Sequence, residues 1–369
     1  MPEPDAEQLE GMETPWRRDA AEVGTALTKW ASHVLGKPAT VTDVAAPGNG
    51  MSSETVLFDL AVDGGAPEPH AARLAPLPEL YPVFQRYDLE LQARCMRLAR
   101  ERTDAPAPEV RWVELDDRWL GGPFLVMRRI DGESPPDVPP YVFGGWVVDG
   151  TPEQRAHMQR AAVNVLAQLH TITPGNADLT FLARPELGSS PMDQQLGRER
   201  AYYEWARDGV SFPLIERAFA WLDEHRPPEG DAVLNWGDSR IGNMLFDGYD
   251  VAGVLDWEMA TVGPREVDLA WMIFLHRFFQ DIAERVGMPG LPDFMTRDGV
   301  VADYESLTGH TVANLDWYEV FAALRFAIVS IRTTTRGIAY GTQERPPEPD
   351  EYIMFRALLE QMLDGTYWS

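Results

Sequence analysis

A change of periodicity near residue 130 constrains this chain more than any other feature. Before it, short β-like runs recur at Val41–Val44, Thr55–Val62, His70–Leu74, Val110–Leu115 and Phe124–Arg129. Glycine turns cut them apart, at Pro47-Gly48-Asn49-Gly50, Asp63-Gly64-Gly65 and Gly121-Gly122. Runs this short must pair with one another to satisfy their backbone groups. One helical stretch, roughly Tyr87 to Arg100, interrupts them. Another precedes them, with Val23, Leu27, Trp30 and Val34 on one face and Gly36-Lys37-Pro38 at its end. After Asp131-Gly132 and a proline-rich passage at 134–140, long helical patterns take over, at Pro152–His170, at Leu214–His225 and through most of Asp268–Leu363. The expected division is an N-terminal tail and helix (1–40), a small α+β lobe (41–129) and a larger, mainly helical lobe (130–369).

Charge and cysteine content then exclude several function classes. With 58 acidic against 32 basic residues, a net charge of −26 repels polyphosphate backbones and anionic lipid, which argues against nucleic acid or membrane as the main partner. No apolar run reaches the length of a membrane span, and the start of the chain lacks the basic and apolar regions of a secretory signal. A single cysteine, Cys95, forms no internal disulfide, so a reducing, cytoplasmic setting is the simplest expectation.

Set into the helical half is one β-like island. It reads Leu234-Asn235-Trp236-Gly237-Asp238-Ser239-Arg240-Ile241-Gly242-Asn243-Met244-Leu245-Phe246, then Val254-Leu255-Asp256-Trp257-Glu258. Any one of its acidic residues, taken alone, reads as a turn or helix-cap residue. The whole set, with apolar strands between the polar positions, is harder to assign to turns.

This island resembles the aminoglycoside phosphotransferase-like, or choline kinase-like, family, in which a His-Gly-Asp-x-x-x-x-Asn loop precedes a later Asp. Asp238 and Asn243 keep the five-residue offset, and Asp256 follows Asp238 by eighteen. The resemblance implies a bilobal protein-kinase-like fold whose small N-terminal lobe is a five-stranded antiparallel sheet with one helix. It also implies an ATP-dependent phosphotransferase acting on a hydroxyl of a small molecule. Asp238 would orient the acceptor and accept its proton, and Asn243 and Asp256 would offer oxygen ligands to Mg²⁺. Trp236 stands where relatives carry a histidine that braces the loop, and an indole can replace that packing. Arg240 and Glu258 are open between substrate contact, phosphate contact and a structural ion pair. Asp268, in Val267-Asp268-Leu269-Ala270, is expected to fix the backbone of the loop, and His170, at the end of Leu166-Ala167-Gln168-Leu169-His170, to be a buried structural partner.

The small lobe supplies the nucleotide-binding expectations. The turn around Gly50, Ser52 and Ser53 would cover ATP phosphates. Arg73 takes the place of the phosphate-binding lysine of kinases, and Glu90 on the following helix is set to pair with it. Met127 and Arg129 fall in the hinge whose main chain would meet adenine. The Asp256-Trp257-Glu258 form and Arg73 resemble most the kinase-like domains that accompany some acyl-CoA dehydrogenases, which implies a hydroxylated acyl compound or other metabolite as acceptor. An aminoglycoside is the other candidate. The alternative from another class is a nucleotide-binding pseudokinase with a regulatory role.

Overall fold

In the computed structural model, which describes residues 18–46 and 54–368, the N-terminal strands pair as their patterning requires. Helix α1 (Ala20–Leu35) starts on Asp19, whose carboxylate accepts from the Ala21 and Glu22 amides, and stops at Gly36 in the left-handed conformation. Strands β1 (Ala39–Ala45), β2 (Glu54–Val62), β3 (Glu68–Leu74), β4 (Val110–Glu114) and β5 (Phe124–Arg128) form one antiparallel sheet in the order β1-β2-β3-β5-β4. Alternation along β2 buries Glu54, Val56, Phe58 and Leu60 on one face. Trp30 of α1 meets Trp112 and Phe124 edge-on, so the helix closes over the sheet through its predicted apolar stripe, although Val34 is left exposed.

The chain falls into two compact units. One contains 18–46, 54–90, 110–129 and 335–344, and the other 91–109, 130–334 and 345–368. Helix α2 (Leu89–Arg102) begins in the first unit and runs into the second.

The second unit is mainly helical, with α3 (Trp146–Asp149), α4 (Pro152–Leu169), α5 (Pro191–Ala206), α6 (Pro213–Glu224), α7 (Glu266–Arg285), α8 (Arg297–Thr308), α9 (Leu315–Ala339) and α10 (Arg356–Leu363). Helices α4 and α5 both open with proline behind a reciprocal cap, Thr151 with Gln154 and Ser190 with Asp193. Nearly every residue from Glu266 to Gln280 is buried. Helix α7 is therefore the central rod of this unit, and a rod covered on all sides needs no amphipathic stripe. Phe274 and Phe278 pack from it onto Phe326 of α9 and onto Phe355. Among the described residues no helix is long and apolar enough to cross a membrane.

Candidate active site

The polar island lies in the second unit as two small antiparallel pairs, β6 (Val233–Asn235) with β9 (Thr261–Gly263) and β7 (Met244–Asp247) with β8 (Asp250–Val254). Asp238 sits on the loop leaving β6. Asn243 ends a single 3₁₀ turn (Ile241–Asn243) that leads into β7, and Asp256 lies two residues past β8. The hairpin register, Met244 opposite Val254, is extended by the Leu255 amide donating to the Asn243 carbonyl at 2.8 Å. The Asn243 amide nitrogen donates in turn to the Asp238 carbonyl at 3.1 Å. Three residues spaced over eighteen positions are thereby brought to one end of one hairpin.

Asp268 holds the loop from below, as its place in the sequence predicted. Fully buried, it accepts from the amides of Trp236 and Gly237, both at 2.8 Å, and lies 3.1 Å from His170 Nε2. The other ring nitrogen of His170 meets the Tyr304 hydroxyl at 2.7 Å, so this histidine is a buried strut. Ser239 Oγ donates to the Asp268 carbonyl at 2.7 Å. Gly237 is required here: its φ is +93°, and a Cβ would fall 2.1 Å from the Met259 carbonyl oxygen. Trp236, fully buried, donates its indole N–H to the carbonyls of Leu255 (2.8 Å) and Asp256 (3.2 Å), joining the two loops directly. Asp256 itself has φ 58°, a strained conformation of the kind that accumulates at functional sites.

Arg240 pairs with two aspartates. Its Nη1 donates to both carboxylate oxygens of Asp137, at 2.6 and 2.7 Å, and its Nε lies 3.2 Å from Asp238 Oδ1. Burial works against the guanidinium's charge, but Asp137, Asp238 and Asp256 outweigh it and hold its pKa above the usual value. Gly242 leaves room for this arrangement, since a Cβ there would meet Arg240 Nη1 at 2.4 Å and Asp137 Oδ1 at 2.9 Å.

Two further residues touch the loop, and sequence reasoning missed the role of both. Trp271 on α7 donates its indole N–H to Asp238 Oδ1 at 2.7 Å. Arg325 on α9 donates to the Gly237 carbonyl at 3.0 Å, with its guanidinium 4.5 Å from the Trp271 ring centroid and 3.7 Å from Glu199. Arg325 is buried, and burial lowers its pKa while Glu199 opposes. The one signal for Trp271 was its offset of three from Asp268 on a helix, one turn along the same face. Asp137 had none, being one acidic residue in a proline-rich passage.

The oxygen donors suit a hard cation. Asn243 has its Nδ2 committed to the Asp238 carbonyl, which leaves Oδ1 as the atom able to accept, and the Asp256 side chain supplies a carboxylate. One amide and one carboxylate match an ion that completes its shell with phosphate and water, as Mg²⁺ does. Among the described residues there is no cluster of three or more His, Cys, Asp or Glu able to hold a metal by themselves.

In the first unit, Arg73 is buried on β3, opposite Thr55 on β2 and Leu125 on β5. Glu90 is exposed in the first turn of α2. Met127 is paired on both sides within the sheet, with Ala71 and with Val110. Arg129 follows the strand, donates its amide to the Pro69 carbonyl at 3.2 Å and faces Asp59 at 3.5 Å. Gly50, Ser52 and Ser53 lie outside the described residues.

Comparison with known proteins agrees with the fold. The chain is 25% identical over 326 residues to a probable acyl-CoA dehydrogenase of Arabidopsis thaliana, covering 81% of this chain but 37% of the plant protein. Its fold matches that of a Ralstonia eutropha protein provisionally described as an aminoglycoside phosphotransferase, with TM-score 0.61, 21% identity and 93% and 97% of the two chains covered. It also matches an aminoglycoside phosphotransferase solved with AMP-PNP and hygromycin B, with TM-score 0.54, 14% identity and 93% and 98% covered. The five-stranded sheet followed by a mainly helical part is thus the protein-kinase-like fold of these enzymes. The model of the phosphotransferase enzyme family matches residues 67–309, well over half of the sequence and all of the island, and the chain belongs to that family.

Proposed function

We propose that this protein transfers the γ-phosphate of ATP to a hydroxyl of a small molecule, with Asp238 as the base and Asn243 and Asp256 as the protein ligands of Mg²⁺. The observation that carries the reading is the convergence of these three residues at one end of the β7–β8 hairpin, through the Asn243–Asp238 and Leu255–Asn243 bonds. When bound, the metal would neutralise charge on the β- and γ-phosphates. The remaining work falls to the chain. Asp238 aligns the acceptor hydroxyl and takes its proton, and the buried Asp268–His170 brace keeps the loop from yielding as charge shifts across it. Arg73, Glu90, Met127 and Arg129, with Gly50, Ser52 and Ser53, are assigned to the nucleotide. A guanidinium at Arg73 can grip phosphate with two parallel bonds.

For the acceptor, likeness to an acyl-CoA dehydrogenase relative supports a hydroxylated acyl compound or a related metabolite, and likeness to an enzyme solved with hygromycin B supports an aminoglycoside. A cytoplasmic setting fits the lone buried Cys95. The test has two steps. Calorimetry with ATP, with and without Mg²⁺, should show metal-dependent binding. That binding should weaken about tenfold in Asp256→Ala, the worth of one charge-assisted contact, and hold in Asp238→Ala. ADP release is then measured across a panel of hydroxylated metabolites, acyl compounds and aminoglycosides. Tight Mg·ATP binding with no turnover on any acceptor, water included, would replace the proposal with a regulatory nucleotide-binding role.

A further inference from the structure

Resting on that reading, we infer that Trp271 is a positioning residue that decides which oxygen of Asp238 acts as the base. Asp238 Oδ1 receives the Trp271 indole N–H at 2.7 Å and lies 3.2 Å from the cationic Arg240 Nε. Both of these contacts fall on Oδ1. An oxygen that already accepts an indole N–H and lies beside a cation is the poorer proton acceptor of the pair, and the proton goes to Oδ2. As the acceptor oxygen bonds to the γ-phosphorus, the bond from that phosphorus to the β–γ bridging oxygen breaks and its electron pair leaves on ADP. The acceptor's proton passes to Asp238 Oδ2, which is neutral at the end of the step.

The surroundings of Trp271 show that its donor is fixed in place. The residue lies on the buried rod α7, three positions after the Asp268 that holds the loop backbone. Behind its ring is the guanidinium of Arg325, 4.5 Å from the centroid, and the same guanidinium donates to the Gly237 carbonyl at 3.0 Å. A cation on the face of an indole draws electron density from the ring and strengthens its N–H as a donor. One arginine thus grips the backbone just before Asp238 and backs the side chain that holds the carboxylate. Three residues from three elements, Arg240 from the loop, Trp271 from α7 and Arg325 from α9, leave the Asp238 carboxylate little freedom to rotate.

The test uses the whole chain and ADP release from Mg·ATP with water as acceptor. Trp271→Phe keeps a ring against Arg325 and removes the N–H. It should slow release roughly 10- to 100-fold, the range of a hydrogen bond to a charged group, with Mg·ATP affinity unchanged. In an Asp238→Asn background the same replacement should cost nothing more, because its effect runs through the carboxylate. Independently of turnover, the indole proton resonance of Trp271, identified by its loss in Trp271→Phe, should lie downfield and move upfield in Asp238→Ala. Equal fractional losses in both backgrounds, or a resonance indifferent to Asp238→Ala, overturn the inference alone. A wild-type protein that binds Mg·ATP and releases no ADP with water or any member of the acceptor panel overturns the phosphotransfer reading and this inference with it.

Discussion

The five-stranded sheet and the polar island are both made of short strands, yet they are held by different means. In the sheet, β2 pairs with β3 at seven consecutive positions and β3 continues into β5, so the load is spread over a ladder. In the island, β6 and β9 share three pairs, and side chains from distant helices do the rest: Asp268 on the Trp236 and Gly237 amides, Gln195 on Asn235 and the Val262 carbonyl, Arg325 on the Gly237 carbonyl. A ladder tolerates the loss of one rung. An assembly tied by a few buried charged groups does not.

The largest expected effect tests that contrast directly. Asp268→Ala leaves two buried amides and His170 without their acceptor and should cost about 3–5 kcal/mol, the loss typical of breaking a buried charged network. Val56→Ala in the sheet removes apolar contact only and should cost about 2 kcal/mol. Urea unfolding of both variants checks this, and equal losses would erase the distinction between the two regions.

Next in size is Asp238→Asn, which leaves the brace intact and removes the proposed base. Turnover should fall by about 10²–10⁴-fold, while Mg·ATP affinity and the melting temperature stay close to wild type. Asparagine replaces aspartate well in turns. Near-normal turnover would therefore return Asp238 to the role of a turn residue.

The same contrast explains what was legible in the sequence. Local periodicity and glycine turns placed all five strands of the sheet and the island's hairpin, because those elements are specified by their own residues. The motif spacing of Asp238, Asn243, Asp256 and Asp268 was readable for the same reason. What escaped is held at long range. Strand β9 has three residues and exists because β6 pairs with it. Helix α5 was passed over, although Ser190-Pro191-Met192-Asp193 is a capping-box pattern, because its apolar and polar residues do not form a clean stripe. Asp137 meets Arg240 from 103 positions away, Trp271 meets Asp238 from 33 and Arg325 meets Gly237 from 88, distances at which no local pattern operates.

A third prediction uses a carboxylate on the same helix as Arg325 that takes no part in the island. Burial pushes the Glu319 carboxyl up to about 7, with Asp316 adding to the shift and Arg297 and the Trp368 indole opposing it. Trp368 donates to Oε2 at 2.6 Å, Arg297 lies 3.6 Å from Oε1, and Tyr367 is the other titratable neighbour. Because the folded pKa lies above the ordinary 4.5, the stabilisation is complete below about pH 4.5 and is lost as pH rises to about 7. The loss should be on the order of 3 kcal/mol, given about 1.4 kcal/mol per unit. Glu319→Gln keeps the Trp368 bond and should flatten that part of the stability profile. An unchanged slope in the variant would move the titration elsewhere.

The smallest effect belongs to the sheet, at Arg73 and Glu90. Both are assigned to the nucleotide, but their settings differ: Arg73 is buried between β2 and β5, and Glu90 is exposed at the start of α2. Water screens an exposed carboxylate, so its coupling to the guanidinium should fall in the range of surface pairs, about 0.2–1 kcal/mol. The two single alanine variants and the double, each titrated with Mg·ATP, give that coupling as the difference between the double loss and the sum of the singles. Arg73→Ala should weaken ATP far more than Glu90→Ala, since a contact to phosphate is lost outright in one and only its orientation in the other. The double variant should lose slightly less than the sum. Strictly additive losses would leave Arg73 as a phosphate ligand without Glu90, and an unaffected Arg73→Ala variant would take the nucleotide role from this strand altogether.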